Sequence, residues 1–176
     1  MKWMLLLAAA CVLQAETPRR APGFSLPDLK LQQHDLADYR GQVVFIDFMQ
    51  TGCPTCRQLS TALEEVKAKF GEKVAIVSIV NPPENQATVA RYISSANVTS
   101  TILFDCGQVT ASYVKILPDN PVVHFPQLFL VDRDGFIRAQ VAADSNPVEM
   151  ESKTLIAQVE QLLQPVPKPA PSPKAK

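Results

Sequence analysis

Several features that would define a functional class are scarce in this sequence. Its 176 residues carry 17 basic and 17 acidic side chains, so no excess of positive charge indicates nucleic-acid binding. No apolar run reaches the about 20 residues of a membrane-spanning helix, which argues against a polytopic membrane protein. Four cysteines are too few for a disulfide-scaffolded fold. Because 47% of the residues are apolar, one ordinary domain with a hydrophobic core is expected.

The first 15 residues differ in composition from the rest of the chain. Lys2 precedes an apolar run from Trp3 to Leu13, which is typical of the charged start and the core of an export signal. We therefore predict a signal peptide over residues 1–15 and a periplasmic or otherwise exported protein. In the alternative, the segment before Cys11 acts as a lipobox, Cys11 is acylated, and the protein contacts the membrane only through that lipid.

Three further segments follow from composition. Residues 16–20 show no periodicity and are predicted to be a linker. Residues 21–164 form the predicted domain, in which 11 basic and 16 acidic residues give a net charge of −5. Residues 165–176 contain five prolines and three lysines, which predicts a disordered tail without helix or strand.

Hydrophobic patterns predict a strand–helix–strand unit in the first half of the domain. Two short apolar runs, at residues 43–48 and 74–80, are typical of strands buried on both faces of a sheet. Between them, apolar side chains recur at helical spacing up to Phe70, and Gly71 ends the helix. Such a unit implies two parallel strands joined by a right-handed crossover.

The second half of the domain alternates between helices and strands. The segment from Asp132 to Gly135 predicts the tight turn of a hairpin, and Pro147 is typical of the start of a helix. The complete pattern predicts an α/β fold with a mixed sheet and helices on both faces. The predicted elements are a helix over 84–95, a strand over 101–104, a helix over 107–114, strands over 128–131 and 136–141, and a helix from 147.

The motif Cys53-Pro54-Thr55-Cys56 lies where the first predicted strand meets the first predicted helix. Unpaired backbone N–H groups and the helix dipole at such a position stabilise an anion, which favours the thiolate form of Cys53. Cys56 follows one turn later, close enough to form a disulfide with Cys53, and we expect it to be more buried and less acidic. A nucleophilic thiol with a resolving partner is what thiol–disulfide exchange requires.

Two other interpretations of the cysteine pair remain open at this point. A zinc site needs four ligands, and the sequence adds only Cys106, His34 and His124, which are scattered along the chain. A purely structural disulfide would be an unusual use of so short a loop at a strand–helix junction. A redox pair at this position itself needs no cofactor and no metal.

Several segments, in the same order along the chain, resemble the thioredoxin superfamily. The resemblance is closer to its exported TlpA/ResA type, which is related to the AhpC/TSA proteins, and it covers nearly all of residues 21–164. The Pro-Thr dipeptide also resembles the DsbE-type reductases of cytochrome c maturation. A thioredoxin-like fold is implied, with an N-terminal extension and a helix–strand insertion between Val80 and Cys106. The resembling segments are residues 21–29, 39–48 and 125–135.

The resemblance also implies roles for individual residues. Cys53 would attack a disulfide, and Cys56 would resolve the mixed disulfide. Pro126 would be a cis-proline that faces the pair and leaves the neighbouring backbone free to pair with a substrate strand. Asp47, six positions before Cys53, would be a buried acid with a raised pKa that relays the proton of Cys56. In the alternative, Asp47 is a hydrated or capped residue near the end of its strand.

The sequence departs from this family immediately before the first cysteine, where Gly52 replaces the usual tryptophan. The aromatic wall beside the thiols is therefore missing, which leaves the redox potential and the substrate preference open. Cys106 is interpreted as a small buried residue at a helix start, or else as a third redox thiol. His124 is structural or lines the site, and Arg57 either favours the thiolate through its charge or is a solvated helix residue.

The sequence thus predicts an exported thiol-disulfide oxidoreductase that reduces protein disulfides. Its expected partners are protein thiols and disulfides, among them apocytochrome c or its maturation proteins, and a membrane electron donor. A thioredoxin-fold peroxidase is the first alternative, although Gln50 and Ile46 stand where peroxiredoxins place Thr and Pro. A copper carrier is the second, although such carriers of this fold generally use a C-x-x-x-C motif.

Overall fold

The computed structural model of the protein describes residues 19–114, 116 and 122–164. The predicted signal peptide, most of the predicted linker and the predicted tail lie outside these residues. Short 3-10 turns lie at Leu36–Tyr39, Gly71–Lys73 and Pro147–Met150. In chain order, the strands and helices are β1 (Ser25–Pro27), β2 (Gln33–Asp35), β3 (Val43–Met49), α1 (Pro54–Phe70), β4 (Val74–Val80), α2 (Gln86–Ala96), β5 (Thr101–Phe104), α3 (Gln108–Tyr113), β6 (Gln127–Val131), β7 (Ile137–Ala142) and α4 (Ser152–Leu163).

A mixed five-stranded sheet, in the order β5-β4-β3-β6-β7, forms the centre of the fold. β3, β4 and β5 run parallel, whereas β6 and β7 are antiparallel to their neighbours. The parallel β3–α1–β4 unit confirms the strand–helix–strand prediction. Because parallel strands end at the same edge of a sheet, the segments that follow β3, β4 and β5 meet along one edge.

Apolar side chains fill both faces of the sheet. On one face, Phe45 of β3 packs with α1 and with Leu155 of α4. On the other face, Phe48, Phe129 and Tyr113 form an aromatic cluster with ring centroids 5.2 to 5.9 Å apart. Since α1 and α4 cover one face and α3 contributes to the other, the predicted mixed sheet with helices on both faces is confirmed.

Some element boundaries differ from the sequence prediction. α2 begins at Gln86 rather than at residue 84, because the Asn85 side chain accepts two backbone N–H groups and caps the helix there. Pro147 begins a 3-10 turn, and α4 starts only at Ser152. The sequence pattern does not predict the antiparallel β1–β2 hairpin, because strands of three residues are too short to show a period.

A carboxylate joins α1 to the loop before β5. Glu64 accepts hydrogen bonds from the backbone N–H and the hydroxyl of Thr99, at 2.9 and 2.6 Å, and from the same two groups of Ser100, at 2.9 and 2.6 Å. Partial burial raises the pKa of Glu64, but these hydrogen bonds outweigh it and leave the pKa lowered. The helix–strand insertion is therefore attached to α1 by polar contacts as well as by packing.

We expect Glu64→Gln to lower the free energy of unfolding at pH 7 by about 1–2 kcal/mol, because an amide cannot accept all four hydrogen bonds and the site is partly exposed. In the folded protein the pKa of Glu64 lies below the ordinary value of 4.5. The stability that the ionised carboxylate contributes is therefore fully present above about pH 4.5, and it is lost as the pH falls through the pKa of the folded state. Urea unfolding at neutral and acidic pH should show the difference between the two proteins shrinking in acid. A constant difference would contradict this account.

Candidate active site

Cys53 is the N-cap residue of α1. Its backbone is extended, with φ −86° and ψ 119°, and its Sγ accepts the backbone N–H of Cys56 at 3.1 Å. Pro54 is the first helical residue, where a missing N–H costs nothing. A sulfur atom in this position receives the hydrogen bonding and the dipole field of the helix N-terminus, both of which stabilise a thiolate.

Cys56 lies one turn into α1 and is fully buried, whereas Cys53 is only partly buried; both thiols are free. Burial raises the pKa of the Cys56 thiol well above its usual range. Hydrogen bonding with Cys53 and the negative charge of Asp47 act in the same direction. The pair therefore consists of an accessible thiol and a buried thiol that holds its proton.

Asp47 is fully buried in β3, in register with Ser78 of β4. The Ser78 hydroxyl donates to Oδ2 at 3.5 Å, and Oδ1 has no hydrogen-bond partner among the described residues. Burial raises the pKa of Asp47 to about 7, and the Ser78 hydrogen bond opposes this increase only in part. The carboxyl can therefore gain and lose a proton near neutral pH. When it is ionised, its negative charge raises the pKa of Cys56.

The segment before β6 lies against Cys53. The Phe125–Pro126 peptide bond is cis, and Pro126 is buried. The Cys53 Sγ lies 3.8 Å from the carbonyl oxygen of Phe125. A cleft of about 780 Å³ adjoins this segment and is lined by Gln50, Val122 and the exposed His124, among others. The structure thus places the backbone that precedes Pro126 next to the Cys53 sulfur.

The side chains of Arg57 and His34 make their polar contacts with groups other than the thiols. The guanidinium of Arg57 stacks on the ring of Tyr92, 5.2 Å from its centroid, and donates to Ser95 Oγ at 3.1 Å. His34, in β2, contacts Asp28 Oδ2 at 3.3 Å through Nε2, in the N-terminal hairpin. Within the described parts of the chain, no group of three His, Cys, Asp or Glu residues is placed to hold a metal.

The interpretation of Cys106 as a buried residue is wrong, because Cys106 is exposed. The preceding residue, Asp105, is the buried one. Its carboxylate accepts the backbone N–H groups of Val109 and Thr110 at 3.2 and 2.9 Å. Asp105 thus caps α3 from a buried position two residues before the N-cap residue Gly107, and the next side chain of the loop is left on the surface.

Two polar contacts beside the cysteine pair were not predicted from the sequence. The hydroxyl groups of Ser60 and Tyr92 lie 2.8 Å apart in the buried region around Cys56. Ser60 follows Cys56 by four residues, so helical spacing alone places both on one face of α1. Glu84 binds Thr51, two residues before Cys53, and no local pattern connects residues so far apart in the sequence.

The sheet, its flanking helices and a dithiol at a helix N-terminus define a thioredoxin-like protein. The sequence profile of the AhpC/TSA family matches residues 18–140, which is most of the chain. The chain therefore belongs to the AhpC/TSA family. This membership confirms the resemblance noted in the sequence.

Individual relatives agree with this assignment. The chain is 27% identical to the thioredoxin-like protein YneN of Bacillus subtilis over 137 residues, which cover 77% of this chain and 76% of the relative. It is 26% identical to the thiol-disulfide oxidoreductase ResA of Bacillus thuringiensis over 133 residues, which cover 76% and 73%. These relatives confirm the prediction of an enzyme of the thiol-disulfide oxidoreductase type.

A solved structure shows the same fold. It is a secreted disulfide oxidoreductase of Mycobacterium tuberculosis, described as homologous to DsbE of Escherichia coli. The TM-score is 0.65 at 23% identity, and the match covers 79% of this chain and 96% of that protein. In the described ranges of the present protein, no helix has the length and apolar character to cross a membrane.

Proposed function

We propose that this protein is an exported reductase of protein disulfides that works by dithiol–disulfide exchange. The observation that carries the proposal is the partly buried Cys53, whose sulfur caps α1 at 3.1 Å from the backbone nitrogen of the fully buried Cys56. Exchange requires one thiolate that attacks and a second thiol that resolves. The environments of these two thiols suit those different roles.

In the first step, the Cys53 thiolate attacks one sulfur of a substrate disulfide. A new S–S bond forms between Cys53 and the substrate, the substrate S–S bond breaks, and the leaving sulfur takes up a proton. The substrate segment would lie along the backbone of Phe125, because this segment borders the Cys53 sulfur. Pro126 would present that backbone by fixing the turn before β6.

In the second step, Cys56 resolves the mixed disulfide. Its proton passes to Asp47, whose pKa of about 7 suits a base at neutral pH. The Cys56 thiolate attacks Cys53 Sγ, the bond between Cys53 and the substrate breaks, and the second substrate sulfur leaves and takes up a proton from solvent. Asp47 returns the proton that it accepted to solvent. The substrate gains two electrons and two protons, and the enzyme is left with a Cys53–Cys56 disulfide. An electron donor in the membrane would return the enzyme to the dithiol.

The proposed substrates are exported proteins that carry disulfides, with apocytochrome c or its maturation proteins among them. The apolar run at residues 3–13 supports export, and the DsbE homologue from Mycobacterium tuberculosis is a secreted protein. Acylation of Cys11 is the alternative route to an extracytoplasmic position. Rapid consumption of peroxide by the purified protein would favour the peroxidase alternative instead, and tight one-to-one binding of Cu(I) would favour a copper carrier.

The reduction potential of the cysteine pair tests the proposal. A chain that begins at Glu16 contains no tryptophan, so tryptophan fluorescence cannot report the redox state of the pair. The protein is instead equilibrated with a thiol buffer and alkylated, and mass spectrometry gives the fraction that is reduced. We expect a potential near the thioredoxin value of about −270 mV, which defines a reductant. A value near the DsbA value of about −120 mV would mean an oxidant or isomerase. Failure of the pair to form a disulfide at any buffer potential would exclude dithiol exchange.

A further inference from the structure

Glu84 is hydrogen-bonded to the turn that carries Cys53. Its Oε1 accepts the backbone N–H of Thr51 at 2.9 Å, and its Oε2 accepts the hydroxyl of Thr51 at 2.7 Å. The hydroxyl of Thr88 donates a third hydrogen bond to Oε2 at 2.6 Å. The carboxylate thus connects α2, which lies in the helix–strand insertion, to a position two residues before the attacking thiol.

The turn before Cys53 contains an exposed glycine, Gly52. The backbone N–H of Cys53 donates to the carbonyl of Gln50 at 3.2 Å and closes the turn. A Cβ atom placed on Gly52 would meet no atom within 4 Å, so no other part of the protein packs against that side of the residue. Glycine has the greatest backbone freedom to lose on ordering. The two hydrogen bonds from Thr51 to Glu84 therefore restrain the backbone next to this exposed glycine.

Glu84 is itself held in place. Its backbone N–H donates to the carbonyl of Asn81 at 3.0 Å, and the next residue, Asn85, caps α2. Partial burial raises the pKa of Glu84, but the hydrogen bonds from Thr88 and Thr51 outweigh this effect and leave the pKa lowered. The carboxylate is therefore ionised at neutral pH, and its hydrogen bonds are charge-assisted.

We propose that Glu84 is a positioning residue for Cys53, because it fixes Thr51 and so keeps the Cys53 sulfur at the N-terminus of α1. This inference rests on the proposed function, in which Cys53 is the attacking thiol. Glu84 does not touch the reacting sulfur and acts through the geometry of the turn. When the turn is loosened, the sulfur spends less time within hydrogen-bond distance of the Cys56 N–H, and the thiolate loses stabilisation.

The test is the rate at which iodoacetamide alkylates Cys53 in the reduced full chain, measured by mass spectrometry across the pH range. For Glu84→Gln we expect alkylation at neutral pH to slow by about tenfold, as for the loss of one hydrogen bond to a charged group, and the pH midpoint of alkylation to move upward. Removal of the negative charge alone would favour the thiolate and move the midpoint downward. A downward shift, or no shift, would overturn the positioning role.

Two further variants make the result specific. Glu64→Gln removes a carboxylate that also accepts several hydrogen bonds but does not contact the turn before Cys53. It should therefore lower the stability of the protein without changing the pH dependence of Cys53 alkylation. Thr51→Val keeps the backbone N–H and loses only the hydroxyl, so a smaller upward shift is expected even if Glu84→Gln fails to fold. An unchanged Thr51→Val profile would count against the proposal. Alkylation needs no substrate disulfide, so a wild-type protein without reductase activity would refute the proposed function separately.

Discussion

Cys53→Ser is expected to abolish the reduction of protein disulfides. The loss in rate should be at least about 1,000-fold, because serine does not ionise near neutral pH and removal of a catalytic nucleophile has effects of this size in other enzymes. The measurement is the turnover of a protein disulfide with a thiol reductant as the electron source. Normal turnover by this variant would rule out Cys53 as the attacking residue.

Cys56→Ser is expected to fail at the next step. Cys53 can still attack, because it remains at the N-terminus of α1, but the neighbouring thiol that would release the substrate is missing. The variant should therefore accumulate a mixed disulfide that non-reducing gels and mass spectrometry detect. If Cys56→Ser traps no substrate while Cys53→Ser is inactive, the two-step exchange is wrong.

Cys106→Ser is the matched control for both substitutions. Cys106 is an exposed thiol on the loop between β5 and α3, and no step of the proposed exchange uses it. Its replacement should leave the turnover rate and the trapped species unchanged. A clear loss of turnover would instead support the alternative in which Cys106 is a third redox thiol.

Asp47→Asn is expected to stabilise the protein in neutral and alkaline solution. Burial raises the pKa of Asp47 from 3.8 to about 7, so between these values the folded chain keeps a proton that the unfolded chain releases. The associated stability, on the order of 4 kcal/mol, is fully present below pH 3.8 and is lost as the pH rises through about 7. Asparagine removes this titration. In urea unfolding, the free energy of unfolding of the variant relative to the wild type should increase as the pH rises, and the two values should become similar in acid.

The same substitution should slow the resolution of the mixed disulfide. Loss of a positioned base costs about 100-fold or more, and the wild-type rate should rise through about pH 7 as Asp47 loses its proton, whereas the variant lacks this rise. Single-turnover release of substrate measures the step. A stabilised variant with an unchanged rate and pH profile would show that Asp47 is a buried acid without a part in catalysis.

Features that depend on local periodicity could be predicted from the sequence. The apolar run of β3, the helical spacing of α1 and the hairpin turn at residues 132–135 each reflect burial within one element, and the structure has these elements where the pattern predicts them. The residues at which α2 and α4 begin were less predictable. A capping residue fixes the start of α2, and a 3-10 turn displaces the start of α4, and both depend on hydrogen bonds that proline alone does not specify.

The sequence alone predicted a pair of thiols at a helix start, because Cys53 and Cys56 are three positions apart at a predicted junction between strand and helix. The tertiary structure decided what surrounds the pair. The Phe125 carbonyl and the Glu84 carboxylate come from segments remote in the chain, and Cys106 is exposed because Asp105 takes the buried position. The physical reason is that local sequence patterns indicate which side of a helix or strand is buried. Contacts between side chains that are distant in the sequence form only when the sheet has placed their segments next to each other.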